Sequence, residues 1–308
     1  MHTIAIHTSK GGVGKTTLTV NVSYELAVRG SRVLVIDLDD QANSSLYLGV
    51  NKADEFNKAK SIEEFNKILD SFKGRKEVID FLKADIASPD FNYREYVYES
   101  KAFNQFISQR GSIGRIDVLP GSYRTKEDEG LAQVAGGGGI REYRLDRVLQ
   151  KSSISHDYDY VIIDTPPSLT MVCRNGLYAA RYLLIPTQME YFSVYGVSSV
   201  VNTIKRTVEL DTDGQRGKVL GIVPMMIEST SNKINKINRF ANQLLQQMLP
   251  EIAIMPGIKR TTYFASAVKD HLPISVFAEK TPSAGAAAMQ LFKVVDEITS
   301  RIAPETTH

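Results

Sequence analysis

Short apolar runs alternate with longer stretches of helical periodicity along most of the chain. Thr3-Ile4-Ala5-Ile6-His7, Arg32 to Asp37, Ile116 to Ser122, Tyr158 to Asp164 and Val219 to Met226 each read as strands. Several are apolar without alternation, the pattern of strands buried on both faces of a parallel sheet. Between them, Leu18, Val22, Leu26 and Ala27 recur at helical spacing after Lys15, and Arg141 to Leu149 reads as a second helix. Further helices are expected from Val194 to about Leu210 and from about Lys233 to Met248, and a last one carries Leu291, Phe292, Val295, Ile298 and Ile302. Repeated βα units predict an α/β fold, a doubly wound, mainly parallel sheet with helices on both faces and right-handed crossovers. Residues 1–308 are read as a single domain.

The pattern changes from about residue 51 to 114, where polar, aromatic-bearing and helical sequence suggests a partly helical insertion. Ser61-Ile62-Glu63-Glu64 has the form of a capping box, with Ile62, Phe65, Leu69 and Phe72 on one face behind it. A short helix is expected from about Glu77 to Lys83. Phe91, Tyr93, Tyr96, Tyr98, Phe103 and Phe106 then follow; packing onto the sheet is the favoured reading, a partner surface the other. Ala135-Gly136-Gly137-Gly138-Gly139 lacks a lysine opening a helix, so a hinge is expected there and not a second phosphate loop.

The chemistry concentrates between the first strand and the first helix, in Ser9-Lys10-Gly11-Gly12-Val13-Gly14-Lys15-Thr16-Thr17. Glycines let backbone N–H groups converge on one point, and the helix N-terminus adds the positive end of its dipole. A triphosphate is the natural guest, held by Gly11, Gly12, Val13, Gly14 and Thr17 together with Lys15 on the β/γ-phosphates and Thr16 on Mg²⁺. The strict pattern asks for glycine where Ser9 stands. Ligands of open α/β sheets bind outside the carboxyl ends of the strands, so Asp37-Leu38-Asp39-Asp40 at the second strand's exit should face the phosphates. Asp164 ends another apolar strand just before Thr165-Pro166-Pro167, where a carboxylate can order the Mg²⁺ shell opposite Thr16.

The form Lys-Gly-Gly-x-Gly-Lys-Thr-Thr resembles the deviant Walker A box of the ParA/MinD ATPases, and the likeness extends over nearly the whole chain outside the insertion. Asp37 to Asn43 is similar to the family's Asp-x-Asp-Pro-Gln-Gly-Asn element, with Asp40 for the proline and Ala42 for the glycine. The resemblance implies an ATPase working on ATP with Mg²⁺. It implies that Asp39 serves hydrolysis, that Lys10 crosses a homodimer interface to the partner's nucleotide, and that adenine sits near Met225 and the loop from Pro256 to Arg260. It also implies nonspecific DNA as a matrix, and a ParB-like or other cargo adaptor for partitioning a plasmid, a chromosome or another large assembly. Lys205 stands where DNA-binding relatives carry an arginine, and Lys233 is the nearest substitute for a second one; Lys236 and Arg239 complete the cluster.

Composition narrows the field only a little. Net charge is +2, so any case for nucleic acid rests on local clusters such as these. One cysteine, Cys173, excludes an internal disulfide or a cysteine metal cage within the chain, and is expected to be a small buried hydrophobe. No apolar run approaches the ~18 residues of a membrane span and no leader precedes the first strand, so a cytoplasmic, nucleoid-associated protein with no membrane partner is expected. Two alternatives stay open: a MinD-like ATPase on a membrane matrix, and a metabolic P-loop enzyme indifferent to DNA.

Overall fold

The computed structural model describes residues 1–50, 59–64, 66, 67, 74–122, 141–209, 212, 214–230, 233, 234 and 236–302. Its strands are β1 (His2–Ile6), β2 (Arg32–Asp37), β3 (Tyr98–Glu99), β4 (Arg115–Leu119), β5 (Tyr160–Asp164), β6 (Tyr182–Gln188) and β7 (Lys218–Met225). They form one sheet in the order β3-β4-β2-β5-β1-β6-β7, every neighbouring pair parallel except β3 with β4. Side-chain alternation divides each strand between two cores. Ile4, Ile6, Val33, Val35 and Ile162 face one layer, while Ala5, Leu34, Ile36, Val161 and Ile163 face the other. The mainly parallel, doubly covered sheet matches the expectation from the sequence.

The first layer contains α1 (Lys15–Val28), with the chain then passing through the short α2 (Asn43–Tyr47) and, on the opposite face, α3 (Val78–Lys83). Next come α4 (Lys101–Gln109), α5 (Arg144–Lys151), α6 (Ile154–Asp157), α7 (Met171–Ala179) and α8 (Tyr191–Ile204). The chain ends through α9 (Lys236–Met248), α10 (Tyr263–Lys269), α11 (Ile274–Lys280) and α12 (Gly285–Ile302). Buried Leu291, Val294, Val295, Ile298 and Ile302 seat α12 beside α1 in the first core, so that last helix is a core element. The helix expected to reach Leu210 ends at Ile204, and Lys205–Glu209 continues it as a wider π-helical turn.

The aromatic stretch packs inward. Tyr93 and Phe103 are buried, Phe81 meets Tyr96 edge-on at 5.4 Å, and Phe103 meets both Tyr24 and Tyr47 at 5.9 Å. Within residues 51–114 the sheet also takes an antiparallel edge strand, β3, and α4 lies on the first core. The capping box at Ser61 forms with a shift: the Glu64 N–H donates to Ser61 Oγ, but the Glu64 carboxylate accepts from the Lys60 N–H. Ile62 is 82% exposed, against the expected apolar face; Phe65, Leu69 and Phe72 lie outside the described residues, as do Ala135–Gly139. Arg144, at the start of α5, is held against a neighbouring helix end. Its guanidinium donates to the carbonyls of Leu82 and Ala84, satisfying the orphaned acceptors at the end of α3.

Candidate nucleotide site

The carboxyl ends of β1, β2, β5, β6 and β7 lie along one edge of the sheet, and the chain crosses between its two halves beside β1. That crossing is a topological switch point, and the glycine loop occupies it. Gly12 (φ 72°) and Gly14 (φ 94°) adopt the left-handed conformation that side chains disfavour, turning the loop tightly before α1. The Leu18 N–H donating to the Gly14 carbonyl at 2.9 Å starts the helix there. A side chain at Gly14 would also meet Met225 Cε at 2.9 Å.

Two clefts meet at this loop. One, of about 560 Å³, is lined by Gly11, Gly12, Gly14, Lys15, Thr16, Thr17, Asp39, Asp40, Gln41, Asn43, Pro167 and Met226. The other, of about 490 Å³ and more apolar, shares Gly14, Thr17 and Met226 and adds Met225, Ile258, Lys259, Arg260, Thr262 and Phe264. The first has the donors for phosphates and the second the apolar walls for a base. Met225 lines the second cleft. Pro256 does not line this cleft: the Ile258 N–H is bonded to the Pro224 carbonyl, and the loop first reaches the cleft at Ile258.

The acidic residues come together from separate strands. Asp37 and Asp164 are register partners on neighbouring strands, both fully buried, and Asp39 follows on the loop beyond β2 at 8% exposure. Burial pushes all three carboxyls above the usual range; Asp164 raises Asp37 further, whereas Lys15 pulls Asp39 and Asp164 back down. The Thr16 hydroxyl donates to Asp164 Oδ2 at 2.9 Å, and Asp164 Oδ1 is buried without a hydrogen-bond partner. Among the described residues no group of three or more histidines, cysteines, aspartates or glutamates could hold a metal. This donor set suits Mg²⁺, which keeps waters and phosphate oxygens and needs little from the protein beyond a hydroxyl and a nearby carboxylate.

Lys10 behaves differently from the rest of its loop. It is absent from the cleft lining, and its ammonium donates to Glu190 Oε2 at 2.8 Å and Gln188 Oε1 at 3.0 Å at the far end of β6. The basic residues assigned to DNA are not gathered into one patch. Asn238 near the start of α9 donates to the Met189 carbonyl just before α8, while Lys205 just past α8 pairs with Glu251 just past α9 at 2.5 Å. The two helices thus run in the same direction. Lys205 sits at the opposite end from Lys236 and Arg239, about 20 Å away for thirteen helical residues. Lys233 belongs to a two-stranded hairpin with Ser229 and Thr230 just before α9.

Several site residues had no signal in the sequence. Ser44 donates to Asp164 Oδ2 at 2.6 Å, and Ser45 donates to Asp37 Oδ2 at 2.7 Å through its hydroxyl and at 2.8 Å through its N–H. His7 and Thr165 meet at 2.9 Å behind the loop, Thr165 also donating to the Ile6 carbonyl; burial first and Lys15 second push His7 down to about 4, so it is neutral at neutral pH. Cys173 is buried as expected, 3.6 Å from His7 Nδ1. Met226 lines both clefts with a left-handed backbone (φ 54°), a conformation uncommon outside glycine.

Comparison with known proteins agrees with this geometry. The family model described as AAA domain matches residues 1–214. The sporulation initiation inhibitor protein Soj of Bacillus subtilis is 32% identical over 232 residues, 74% of each chain. The chromosome partitioning protein ParA of Caulobacter vibrioides is 27% identical over 255 residues, 81% of this chain and 80% of that one. Among solved structures, an ATP complex of Cyanothece McdA superposes with a TM-score of 0.72 at 20% identity, covering 98% of this chain and 96% of that one, a likeness of fold. With its glycine loop, its Asp164 strand end and its sheet order in place, the chain belongs to the ParA/MinD superfamily of P-loop ATPases.

Proposed function

We propose that the chain is a nucleotide-gated positioning ATPase that pairs with a second copy of itself when it holds ATP and, in that state, binds nonspecific DNA. A ParB-like or other cargo adaptor would couple it to a plasmid, a chromosome or another large assembly, and DNA binding would place the ATP form on the nucleoid. As a member of its superfamily the chain is an ATPase and uses ATP with Mg²⁺. The observation that carries the rest is Lys10: a phosphate-loop lysine that does not line its own cleft and stays half-exposed on an ion pair is free to serve a partner's nucleotide.

The roles follow from position. Phosphoryl transfer asks the protein for placement and charge stabilisation. Lys15 and the Gly11 to Thr16 backbone hold the phosphates, Val13 packs the loop onto the core, and Thr17 lines both clefts. Thr16 would offer its oxygen to Mg²⁺ while its hydroxyl keeps donating to Asp164 Oδ2. When bound, Mg²⁺ neutralises charge on the β and γ oxygens. Asp39, which lines the same cleft, positions the attacking water, and Lys10 adds charge in trans as an arginine finger does. Adenine takes the cleft between Met225 and Ile258 to Phe264.

Lys236 and Arg239 are exposed on the first turn of α9, and with Lys205 and Lys233 they touch phosphates in a way that positions DNA without reading its sequence. Spread over ~20 Å, they hold DNA weakly in one chain, and pairing doubles the number of phosphates reached. Among the described residues no helix is long and apolar enough to cross a membrane. The test is a salt titration on two unrelated duplexes with ATP or ADP. The ATP form should bind both alike with a steep salt slope, and Lys236→Ala with Arg239→Ala should flatten that slope by roughly one unit for each phosphate no longer neutralised. Equal binding in both nucleotide states, or strong preference for one duplex, overturns the DNA reading.

A further inference from the structure

Two buried carboxylates on neighbouring strands present a physical problem of their own. The backbones of β2 and β5 lie about 4.8 Å apart, and Asp37 and Asp164 stand side by side at their ends with no exposure to solvent. Like charges in a dry site repel, and each needs donors to stay ionised. The first turn of α2 supplies them from two successive residues, Ser44 to Asp164 and Ser45 to Asp37. Consecutive helical residues point about 100° apart, so the pair can reach two strands at once. Ser45 is anchored on its other side by accepting the Gly121 N–H at 2.9 Å.

Ser44 matters more than its neighbour because of what else Asp164 holds. Thr16 and Ser44 both donate to Oδ2, so the carboxylate is gripped through one oxygen and Oδ1 is left bare. Ser44 is fully buried and does not line the phosphate cleft, so it acts only through Asp164. It is also joined by a very short path to Asp39: the Ala42 N–H donates to the Asp39 carbonyl, and Ala42 turns into α2 with a left-handed φ of 49°. The Ser44 hydroxyl thus ties the loop carrying Asp39 to the side chain that orients Thr16, beside the Leu38 N–H that donates to the Asp164 carbonyl at 2.8 Å.

We propose that Ser44 is a positioning residue for the metal half of the site: by holding Asp164 Oδ2 it fixes the carboxylate in the orientation from which Thr16 presents its oxygen to Mg²⁺. This rests on the reading of the glycine loop as a MgATP site. Partners of this kind around a metal typically matter 10- to 100-fold in metal affinity.

The experiment measures binding of a fluorescent ADP analogue to the full chain across a Mg²⁺ titration, with EDTA as the zero point. Ser44→Ala should keep the metal-free affinity within about 2-fold and raise the Mg²⁺ concentration for half-maximal tightening about 10-fold. Ser45→Ala, which strips Asp37 instead, should lower the melting temperature without moving the Mg²⁺ midpoint. In an Asp164→Asn background, Ser44→Ala should add less than about 2-fold, as expected for residues acting through one another. An unmoved Mg²⁺ midpoint in Ser44→Ala, or equal loss of affinity with and without Mg²⁺, overturns the role of Ser44 while a Mg²⁺-sensitive wild type keeps the loop assignment standing. A wild-type chain whose nucleotide affinity ignores Mg²⁺ overturns both.

Discussion

Glu190→Gln is the perturbation that most directly examines the trans role of Lys10. In the isolated chain the Lys10 ammonium rests on Glu190 Oε2 at 2.8 Å, with side chains 47% and 50% exposed. If Lys10 must leave this ion pair to reach a partner's phosphate, the pair opposes dimerisation. Exposed pairs are worth about 0.2–1 kcal/mol each, and a symmetric dimer breaks two, for a total of about 0.4–2 kcal/mol. At 1.4 kcal/mol per tenfold, removing the charge should tighten dimerisation by roughly 2- to 30-fold. The amide keeps the shape, and Gln188 still accepts from Lys10. Sedimentation velocity with a non-hydrolysable ATP analogue, over a range of protein concentration, gives the dimer constant for wild type and variant. The gap should narrow in high salt, where a half-exposed pair is screened. Weaker pairing by Glu190→Gln would refute the argument and place Glu190 among the groups that hold Lys10 productively in the dimer.

Lys15→Ala and Thr16→Ala should each abolish Mg-ATP binding in calorimetry, because one removes the ammonium that lines the cleft and the other the hydroxyl beside Asp164. Asp39→Ala should keep ATP binding and stop turnover, accumulating an ATP-bound dimer by light scattering; loss of ATP affinity would instead make Asp39 a structural or metal-binding group. Glu25, buried on α1 with the Ser275 hydroxyl donating to it at 2.7 Å, has its carboxyl pushed up by burial. A carboxyl raised in the folded state binds protons more tightly folded than unfolded, so its stabilisation is full below the unfolded value and is lost as pH rises through the folded one. Glu25→Gln should therefore melt higher than wild type at pH 8, with the difference shrinking toward pH 4.

Local sequence determined the machinery that local physics can build. The glycine loop needs only a strand, positive φ at Gly12 and Gly14, and a helix starting at Lys15, all within a few residues. The apolar runs of β2 and β5 announced strands buried on both sides, and their terminal aspartates announced an acidic edge. What tertiary structure alone decided are the meetings between distant segments. Strand β5 lies between β1 and β2, and only that order brings Ser44 to Asp164 and His7 to Thr165. Serines after an acidic loop read as helix-start residues in a sequence; their targets depend on which strand the crossovers insert alongside. The same reason governs the arginines and lysines. Arg144 finds the end of α3, and Lys205 finds Glu251, because two helices pack in parallel, and a charge pattern carries no record of that direction. Pro256 misses the more apolar cleft because backbone bonding to β7 holds its loop back until Ile258, and only the folded path of the chain sets that distance.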